Sequence, residues 1–294
     1  MKQVLSPREL ADAIGVSESS LKRWADDGLL VVSRTAGGHR RIAITEAIRF
    51  VRESGLPVLK PHVLGIRDPG AVSALEAPHA VTNDAVRQAL LAGDAERARG
   101  LIMSLYLGGM SVAEICDGPI AGAMREIGEL WKHGPEGIFV EHRASDVCVQ
   151  ALSHMRALLP PPPDNAPVAM GGSLDGDNHM LPSLMAAVVL ASDGWRETNL
   201  GGNTPPEVFA IAAKQSGAKL VWISCSVDQS AEALMPRIRQ VAAALEPTGA
   251  TLTIGGRGVP KKLRDLPPRT HLVASMSELQ AFARGMVVGS GKTK

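Results

Sequence analysis

Apolar residues at helical spacing, separated by small turn residues, open the chain. Residues 6–9 read Ser-Pro-Arg-Glu, the order of a capping box with proline at the first helical position. The pattern predicts a helix from this box to Gly15 and a second helix capped by Ser17, with Leu21 and Trp24 facing inward. Two helices joined by so short a turn indicate a helix-turn-helix.

Two short strand-like stretches follow the second helix. Residues 31–34 and 39–42 flank a turn at Gly37 and Gly38, which predicts a two-stranded wing before a further helix capped by Thr45. Helix-turn-helix geometry alone also fits a small helical interaction module. The cations that flank the glycine turn favour a winged DNA-binding domain instead.

The middle of the chain has a helical period throughout. Apolar residues recur every three or four positions in four stretches with short connections, which predicts an antiparallel four-helix bundle. The predicted helices cover residues 83–91, 94–107, 111–131 and 136–159.

The last part of the chain alternates short apolar runs with helical patterns. This alternation predicts an α/β domain, a flavodoxin-like (Rossmann-like) parallel sheet with the strand order 2-1-3-4-5. The predicted strands cover residues 168–173, 196–200, 219–224, 251–254 and 271–274. A helix is expected after each strand, and its pattern is weakest after the fourth.

Proline-rich stretches separate these three regions. Residues 56–80 and 160–165 are rich in proline, which interrupts helices and makes semi-rigid spacers. We therefore expect a winged-helix domain at 1–55, a four-helix bundle at 81–159 and a parallel-sheet domain at 166–290.

Composition narrows the function classes. The chain has 294 residues, 45% of them hydrophobic, which excludes a mainly disordered protein. A net charge of +1 argues against a surface coated in basic charge but permits a local basic patch. The 3 cysteines form no C-x-x-C pair, so we expect neither a disulfide framework nor a zinc ribbon. The sequence shows no signal-peptide core and no apolar run that could span a membrane, and we expect a cytoplasmic protein.

Basic and small polar residues concentrate on the second helix and the wing. The strings RWADDGLL and RTAGGHRRI, within residues 23–42, resemble the MerR family of winged-helix DNA-binding proteins, with Ile42 where that family usually has an aromatic residue. The resemblance implies that the second helix enters the major groove of double-stranded operator DNA while the wing holds phosphates. The candidate DNA contacts are Ser19, Ser20, Lys22, Arg23, Arg34, Thr35, His39, Arg40 and Arg41.

Trp131 is followed, after nine residues, by Glu141 and His142 on the fourth predicted helix. Glu141 shares a partly apolar face with Ser145 and Cys148, and a carboxylate there needs a hydrogen-bond partner. Two interpretations are open at this point. Either Trp131 is a core residue and the polar pair bonds neighbouring side chains, or the three residues contact a ligand.

Polar residues and glycines gather where three predicted strands end. Because the carboxyl ends of parallel strands meet at one edge of the sheet, we expect these residues to share a site. An imidazole with a carboxylate two residues earlier is typical of a metal ligand and the group that orients it. With no second histidine or cysteine nearby, a single protein ligand suits a metal already held by a macrocycle. The candidates are Asp177 and His179 after the first strand, Ser224 and Ser226 after the third, and Gly255 and Gly256 after the fourth.

Each of these features alone has an ordinary explanation as a surface histidine or a plain turn. Together they resemble the cobalamin-binding domain of methionine synthase and its relatives. The resemblance implies that His179, supported by Asp177, coordinates cobalt from below, and that the nucleotide tail of cobalamin lies beside Ser224 and the glycine pair. The family motif Asp-x-His-x-x-Gly has Pro182 in its last position here.

The order of winged helix, helical bundle and cobalamin domain resembles the CarH-type light-sensing transcriptional repressors. This resemblance spans nearly the whole chain and implies that Trp131 and Glu141 enclose the adenosyl group of adenosylcobalamin. It also implies a homo-oligomer, a tetramer in the family, that binds operator DNA in the dark and separates when light breaks the cobalt–carbon bond. The family's histidine directly after the tryptophan is Lys132 here, so His133 and His142 are both candidates for the upper ligand in the light state.

Three alternatives stay open. One is a MerR-type regulator that senses cobalamin, or another tetrapyrrole such as haem, without light, which Lys132 and Pro182 favour. Another is a corrinoid carrier for methyl transfer, against which stand the winged helix and a chain too short for a barrel of roughly 250 residues. The last is a domain without a cofactor that serves only for assembly. Under the leading hypothesis the protein is not an enzyme, because the photochemistry belongs to the cofactor.

Overall fold

The computed structural model describes residues 4–66 and 81–290. The chain forms two compact units, Met1–Pro160 and Pro161–Lys294, which divide inside the proline-rich stretch at 160–165. The finer division of the first unit into a winged helix and a bundle stays a prediction. Residues 67–80 of the predicted linker lie outside the described residues. Among the helices that the structure describes, none combines the length and the apolar character that crossing a membrane requires.

The first unit begins with the predicted helix-turn-helix. Ser6 Oγ accepts a hydrogen bond from Glu9 N (3.3 Å) and the Glu9 carboxylate accepts one from Ser6 N (2.8 Å), which confirms the capping box. Ser17 Oγ caps the second helix by accepting from Ser20 N (3.1 Å). The elements are β1 (Val4–Leu5), α1 (Pro7–Ile14), α2 (Glu18–Asp26), β2 (Ser33–Arg34), β3 (Arg40–Ala43) and α3 (Ile44–Ser54).

The wing belongs to a three-stranded sheet in the order β1-β3-β2, with one strand more than the sequence predicts. β3 pairs antiparallel with β2, where Ser33 lies opposite Arg41, and with β1, where Leu5 lies opposite Ile42. Leu5 and Ile42 are both fully buried. The sequence misses β1 because two residues are too few to show a strand period.

The prediction that Thr45 caps the third helix is wrong. α3 begins at Ile44, its N-cap is Ala43, and no side chain caps its first turn. Ala43 is also the last residue of β3, so the strand runs directly into the helix. Ala43 holds the N-cap position, and its methyl side chain has no oxygen that could accept from the first turn.

The start of the proline-rich stretch at 56–80 is folded onto α1 and is not a free spacer. A 3-10 helix at Pro61–Leu64 begins on proline, which needs no amide donor there. The N–H groups of Leu59 and Lys60 donate to Ala13 O at 2.7 and 3.0 Å. The N-terminal fold therefore continues beyond the end of α3.

The rest of the first unit is helical, with bounds close to those predicted. Thr82 and Asp94 cap the first two helices through their side-chain oxygens. The helices are α4 (Asn83–Ala92), α5 (Ala95–Leu107), α6 (Val112–Ile115), α7 (Ala121–Gly128) and α8 (Pro135–Leu158).

The single helix predicted at 111–131 is continuous but not uniform. A π-helical segment at Cys116–Ile120 joins α6 to α7 and contains Pro119. Proline has no amide proton and its ring displaces the preceding turn, which accounts for the wider helix there. A 3-10 helix at Glu129–His133 follows α7 and carries Trp131.

Arg52, near the end of α3, attaches the N-terminal elements to the helical bundle. Its guanidinium carbon lies 3.8 Å from the centroid of the Tyr106 ring, a cation–π contact. The guanidinium also donates to the carbonyl oxygen of Tyr106 and to that of Met110 (3.2 Å). These carbonyls lie at and just beyond the C-terminal end of α5, where helix carbonyls lack partners and attract a cation.

The second unit is a five-stranded parallel sheet in the order β5-β4-β6-β7-β8, which confirms the predicted 2-1-3-4-5. Every residue of β6 is buried, as expected for a parallel sheet covered on both faces. The strands are β4 (Val168–Ser173), β5 (Arg196–Asn199), β6 (Leu220–Ser224), β7 (Thr251–Gly255) and β8 (Thr270–Val273). The helices are α9 (Leu181–Ser192), α10 (Pro206–Ser216), α11 (Ala231–Leu245) and α12 (Met276–Ser290).

The helix expected after the fourth strand of the sheet is absent. Residues 256–269, all of them described, form turns between β7 and β8. Gly256 has a φ of 111°, which is far from helical. This stretch also contains Pro260, Pro267 and Pro268, which have no amide proton to donate. No helix therefore forms there, despite the weak apolar period of the sequence.

We expect Arg52→Ala to lower the free energy of unfolding by about 1–3 kcal/mol, because it removes the hydrogen bonds to Tyr106 O and Met110 O and the ring contact. Urea unfolding of the full chain, followed by far-UV circular dichroism, measures this. Arg125→Ala, an exposed position on α7, is the matched control. Equal stability of the two variants would contradict the assigned contact.

Candidate functional site

The predicted DNA contacts of α2 lie on its exposed side. Lys22 and Arg23 are exposed, while Leu21 of the same helix is buried. Lys22 Nζ lies 3.0 Å from a Glu18 oxygen, and the Arg23 side chain has no partner within the described residues. No carboxylate of the described residues therefore competes with a ligand for Arg23.

The hydroxyls of Ser19 and Ser20 take part in the cap of α2. Ser17 Oγ lies 2.8 Å from Ser19 Oγ and 2.9 Å from Ser20 Oγ. A hydroxyl that donates one bond can still accept others, so this network does not block a further ligand. Contact of these serines with DNA stays a prediction.

Thr35 and His39 shape the turn of the wing, and Arg40 fixes the wing to α2. Thr35 N donates to His39 O (2.9 Å), and His39 N donates to Thr35 Oγ1 (3.2 Å). Arg40 donates to Lys22 O (3.1 Å) and to the Asp26 carboxylate (2.6 Å). The structure therefore gives Arg40 a positioning role within the fold.

Arg34 and Arg41 are the wing arginines left for a phosphate. Arg34 is exposed and Arg41 half-buried, and neither side chain has a partner within the described residues. They lie on the paired strands β2 and β3. Unpaired guanidinium groups beside a glycine turn suit contact with a nucleic-acid backbone.

Glu46, which the sequence does not single out, holds the segment that leads into the wing. Glu46 Oε1 accepts from Val31 N (2.7 Å), and Arg49 donates to both Glu46 oxygens (2.7 and 2.6 Å). Burial raises the pKa of Glu46, but the hydrogen bonds from Arg49 and Val31 outweigh it and lower the pKa below its usual value. A glutamate three residues before an arginine is too common in helices to be noticed in a sequence.

Trp131, Glu141 and His142 meet in the first unit. Trp131 Nε1 donates to Glu141 Oε2 (3.4 Å), and His142 Nδ1 lies 2.6 Å from the same oxygen. The Trp131 and His142 ring centroids are 5.9 Å apart. Because Trp131 is 47% exposed, its interpretation as a core residue is wrong.

Glu141 is the centre of this cluster. Its other oxygen accepts from Ser145 Oγ (2.7 Å). Burial raises the pKa of Glu141, but hydrogen bonds from Ser145, His142 and Trp131 lower it below the usual value. The cluster therefore contains an ionised carboxylate beside an exposed ring. With Nδ1 of His142 on Glu141, Nε2 is the nitrogen left for a ligand.

Lys132 pairs with Glu129 one turn earlier. An ammonium group has no lone pair for a metal, so Lys132 cannot act as the family's histidine does. His133 ends the same 3-10 helix, and its side chain lies outside the described residues.

Asp177 joins two strand ends in the second unit. Its Oδ1 accepts from His179 N (3.1 Å) and lies 2.8 Å from His179 Nδ1, while Oδ2 accepts from Ser226 N (2.6 Å). Burial raises the pKa of Asp177, but the hydrogen bonds from His179 and Ser226 lower it below the usual value. A buried, ionised carboxylate thus connects the loop after β4 to the loop after β6.

His179 is oriented by this carboxylate and remains accessible. Its side chain is 43% exposed and that of Asp177 is 2% exposed. A carboxylate on Nδ1 is how metal-ligating histidines are usually held. Pro182 lies in the first turn of α9, where a helix needs no amide donor, so the departure from glycine fits the local fold. The described residues contain no group of three or more His, Cys, Asp or Glu that could hold a metal.

Ser173, the last residue of β4, also belongs to the polar group at the strand ends, although it was not among the predicted site residues. Its Oγ lies 2.7 Å from Ser224 Oγ and donates to His179 O (3.2 Å). Ser173 and Ser224 are direct neighbours in the β4–β6 pairing. The sequence did contain a signal. Ser173 ends a predicted strand that neighbours the strand ending at Ser224.

The loops after β6 and β7 approach each other closely around Ser226. A Cβ on Gly256 or Gly258 would lie 2.2 Å from a main-chain oxygen of the β6 loop, and one on Gly255 would lie 2.8 Å from Val273 O. Ser226 Oγ is buried and has no hydrogen-bond partner among the described residues. Buried polar atoms are almost always paired, so this hydroxyl indicates a ligand.

Two regions of the chain match known protein families. Residues 6–42 match the MerR family of regulatory proteins, and residues 82–156 match a B12 binding domain. The chain therefore carries a MerR-family domain near its N-terminus and a B12-binding domain in its middle region.

The chain is similar to the HTH-type transcriptional repressor CarA of Myxococcus xanthus, with 25% identity over 280 residues that cover 87% of this chain and 88% of CarA. This likeness confirms the resemblance to CarH-type repressors. Dimethylamine corrinoid protein 1 of Methanosarcina mazei is 23% identical over 188 residues, 61% of this chain and 84% of that protein. The monomethylamine corrinoid protein of Methanosarcina barkeri shares the fold, with a TM-score of 0.50 and 15% identity over 68% of this chain and 96% of that one.

We expect Glu46→Gln to lower the free energy of unfolding at pH 7 by about 1–2 kcal/mol, because the charge-assisted bonds to Arg49 and Val31 weaken. A lowered pKa stabilises the fold above the unfolded value of about 4.3, and this gain is lost as pH falls through the folded value. The difference between wild type and variant should therefore vanish in acid. Urea unfolding at several pH values measures it, with the exposed Glu136→Gln as control. A difference that persists at low pH would contradict the role of the ionised carboxylate.

Proposed function

We propose that this protein is an adenosylcobalamin-dependent, light-responsive transcriptional repressor that binds double-stranded operator DNA as a homo-oligomer in the dark. The observation that carries the proposal is the contact of Asp177 with His179 Nδ1 (2.8 Å), in a chain that also has a MerR-type domain. Bound adenosylcobalamin supplies a light-sensitive cobalt–carbon bond. The protein supplies position and the link to DNA, and is not an enzyme in this proposal.

His179 is the proposed lower ligand of cobalt. Asp177 accepts the Nδ1 proton, so Nε2 carries the lone pair that a metal needs. The lowered pKa of Asp177 supports an ionised partner that makes the imidazole a better donor. The likeness to a corrinoid protein of Methanosarcina mazei supports the same assignment.

The carboxyl edge of the sheet fits the nucleotide tail of cobalamin. The buried hydroxyl of Ser226 has no hydrogen-bond partner in the part of the chain that the structure describes, and a ligand would supply one. Ser224 offers a second hydroxyl, already held by Ser173. Gly255 and Gly256 place no side chain at the start of the neighbouring loop.

Trp131 and Glu141 are the proposed contacts of the adenosyl group. An exposed indole held by a hydrogen bond offers a flat apolar face, and the glutamate oxygens accept hydrogen bonds from hydroxyls. For the upper ligand in the light state, His142 and His133 remain the candidates. His142 has the support of Glu141 on its Nδ1.

A single winged helix contacts few base pairs, so paired half-sites and a homo-oligomer are part of the proposal, with a tetramer when loaded in the dark. The arginines of the wing and of α2 supply the phosphate contacts.

A regulator that senses cobalamin without light is the second candidate, and Lys132 favours it because it removes the family's light-state histidine. A methyl carrier has support from the likeness to dimethylamine corrinoid protein 1, but that likeness covers 61% of the chain. Haem is a weaker candidate ligand for the same single histidine.

Light should change the loaded protein. After loading with adenosylcobalamin in darkness, we expect green light to alter the absorption spectrum, reduce the size of the assembly and release operator DNA. Spectroscopy, size-exclusion chromatography and gel shifts on one sample measure this. An unchanged spectrum and size would leave the light-independent regulator as the function, and a Soret band after loading with haem would favour haem.

Two variants in the same experiment test whether His179 is the cobalt ligand. His179→Ala should lose the spectral signature of histidine ligation and bind cobalamin more weakly. His271→Ala, a histidine of the same unit that packs on Phe282, should behave as the parent. Parental spectra from both variants would remove the axial assignment.

The wing arginines should contribute to DNA affinity through charge. We expect Arg34→Ala and Arg41→Ala each to weaken operator binding about tenfold and to reduce the salt dependence by about one phosphate contact. Fluorescence anisotropy at several salt concentrations measures both quantities. The control is Arg125→Ala, which removes the same single positive charge from an exposed position on α7. A salt slope that is unchanged in the wing variants would count against the phosphate contacts.

A further inference from the structure

Arg257 lies in the loop after β7, directly behind the glycine pair. It is exposed, and its Nε donates to Ser226 O (3.2 Å). No other partner of Arg257 occurs within the described residues, so its two terminal nitrogens remain available. A guanidinium anchored at one end presents a planar, two-pronged donor at the other.

Ser226 connects this cation to the interior of the site. Its N–H donates to Asp177 (2.6 Å) and its carbonyl accepts from Arg257. Its buried hydroxyl has no partner in the described ranges 4–66 and 81–290. A ligand that bonds this hydroxyl lies close to Arg257, because the same residue holds both.

The loop around Arg257 adds positive charge. Residues 255–269 contain one acid, Asp265, and the cations Arg257, Lys261, Lys262, Arg264 and Arg269. Lys261, Lys262 and Arg264 are exposed and have no partner within the described residues. The neighbouring carboxylates do not neutralise them, since Asp177 is bonded on both oxygens and Asp175 pairs with Arg237.

Apolar side chains hold this loop in place. Leu263 belongs to the core of the second unit, and Val259 and Leu266 pack against it. Gly256 and Gly258 permit main-chain contact with the β6 loop. The cations are thus attached to an anchored segment, which attracts an anion at low entropic cost.

We propose that Arg257 binds the phosphodiester of the cobalamin nucleotide tail and makes the protein selective for complete cobalamins over corrinoids without the nucleotide. This assignment rests on the proposed function, because it needs a corrinoid in the second unit. The ring substituents of cobalamin are neutral amides, so the anionic charge of the tail lies on its phosphodiester. The planar fork of arginine matches phosphate oxygens. A DNA backbone is the less suitable anion, because the hydroxyl of Ser226 beside Arg257 is buried and a duplex would stay at the surface.

Spectral titration with hydroxocobalamin and with dicyanocobinamide, which lacks the nucleotide, tests the assignment. Arg257→Gln should weaken hydroxocobalamin binding about tenfold and make it less sensitive to sodium chloride. Its dicyanocobinamide affinity should equal that of wild type, which also shows that the variant is folded. Arg264→Gln removes the same charge from the same loop without touching Ser226 and should retain the hydroxocobalamin affinity.

Equal losses for both ligands, equal losses in both variants, or unchanged hydroxocobalamin binding would each overturn the assignment. Weaker operator binding by Arg257→Gln with unchanged hydroxocobalamin binding would overturn it in favour of a DNA surface. Failure of the wild type to bind either corrinoid would overturn the proposed function as well. The two failures are therefore distinguishable.

Discussion

The buried carboxylate of Asp177 is the interaction on which the carboxyl edge of the sheet depends. Parallel pairing brings the strand ends side by side, but the ladder of hydrogen bonds does not extend into the loops. Asp177 bonds His179 in its own loop and Ser226 in the neighbouring one. Because a buried carboxylate is costly unless its oxygens are paired, separating the loops would leave an unpaired charge. The orientation of the His179 imidazole is therefore set by the sheet as a whole.

The helical unit repeats this chemistry in a different local structure. Glu141 and Asp177 each hold the Nδ1 of a histidine, at 2.6 and 2.8 Å. In both carboxylates hydrogen bonds lower the pKa against the effect of burial. Glu141 precedes His142 on a helix, whereas Asp177 and His179 lie two positions apart in a loop. A loop and a helix thus hold an imidazole in the same way, through Nδ1.

Several arginines in this protein bond main-chain carbonyl oxygens. Arg40 bonds the carbonyl of Lys22, Arg52 bonds that of Met110, and Arg257 bonds that of Ser226. Because a carbonyl is neutral, such a bond joins two elements without cancelling the charge of the arginine, although Arg40 also pairs with the Asp26 carboxylate. The wing, the bundle and the sheet edge are each positioned in this way. The net charge of +1 therefore says little about where the protein can meet an anion.

Caps, hydrophobic periods and turns are local, and for that reason the sequence by itself determined the order of the elements and most of their bounds. The alternation of strands and helices along the chain was enough to predict the strand order of the sheet. It also placed His179 and Ser226 at one edge, because parallel strands end together. Local patterns could not show that Asp177 reaches Ser226 or that Trp131 is exposed. Only the tertiary structure decided these points, since each depends on contacts between residues far apart in the chain. The free energy of such contacts comes from burial and hydrogen bonding, which a short stretch of sequence does not contain.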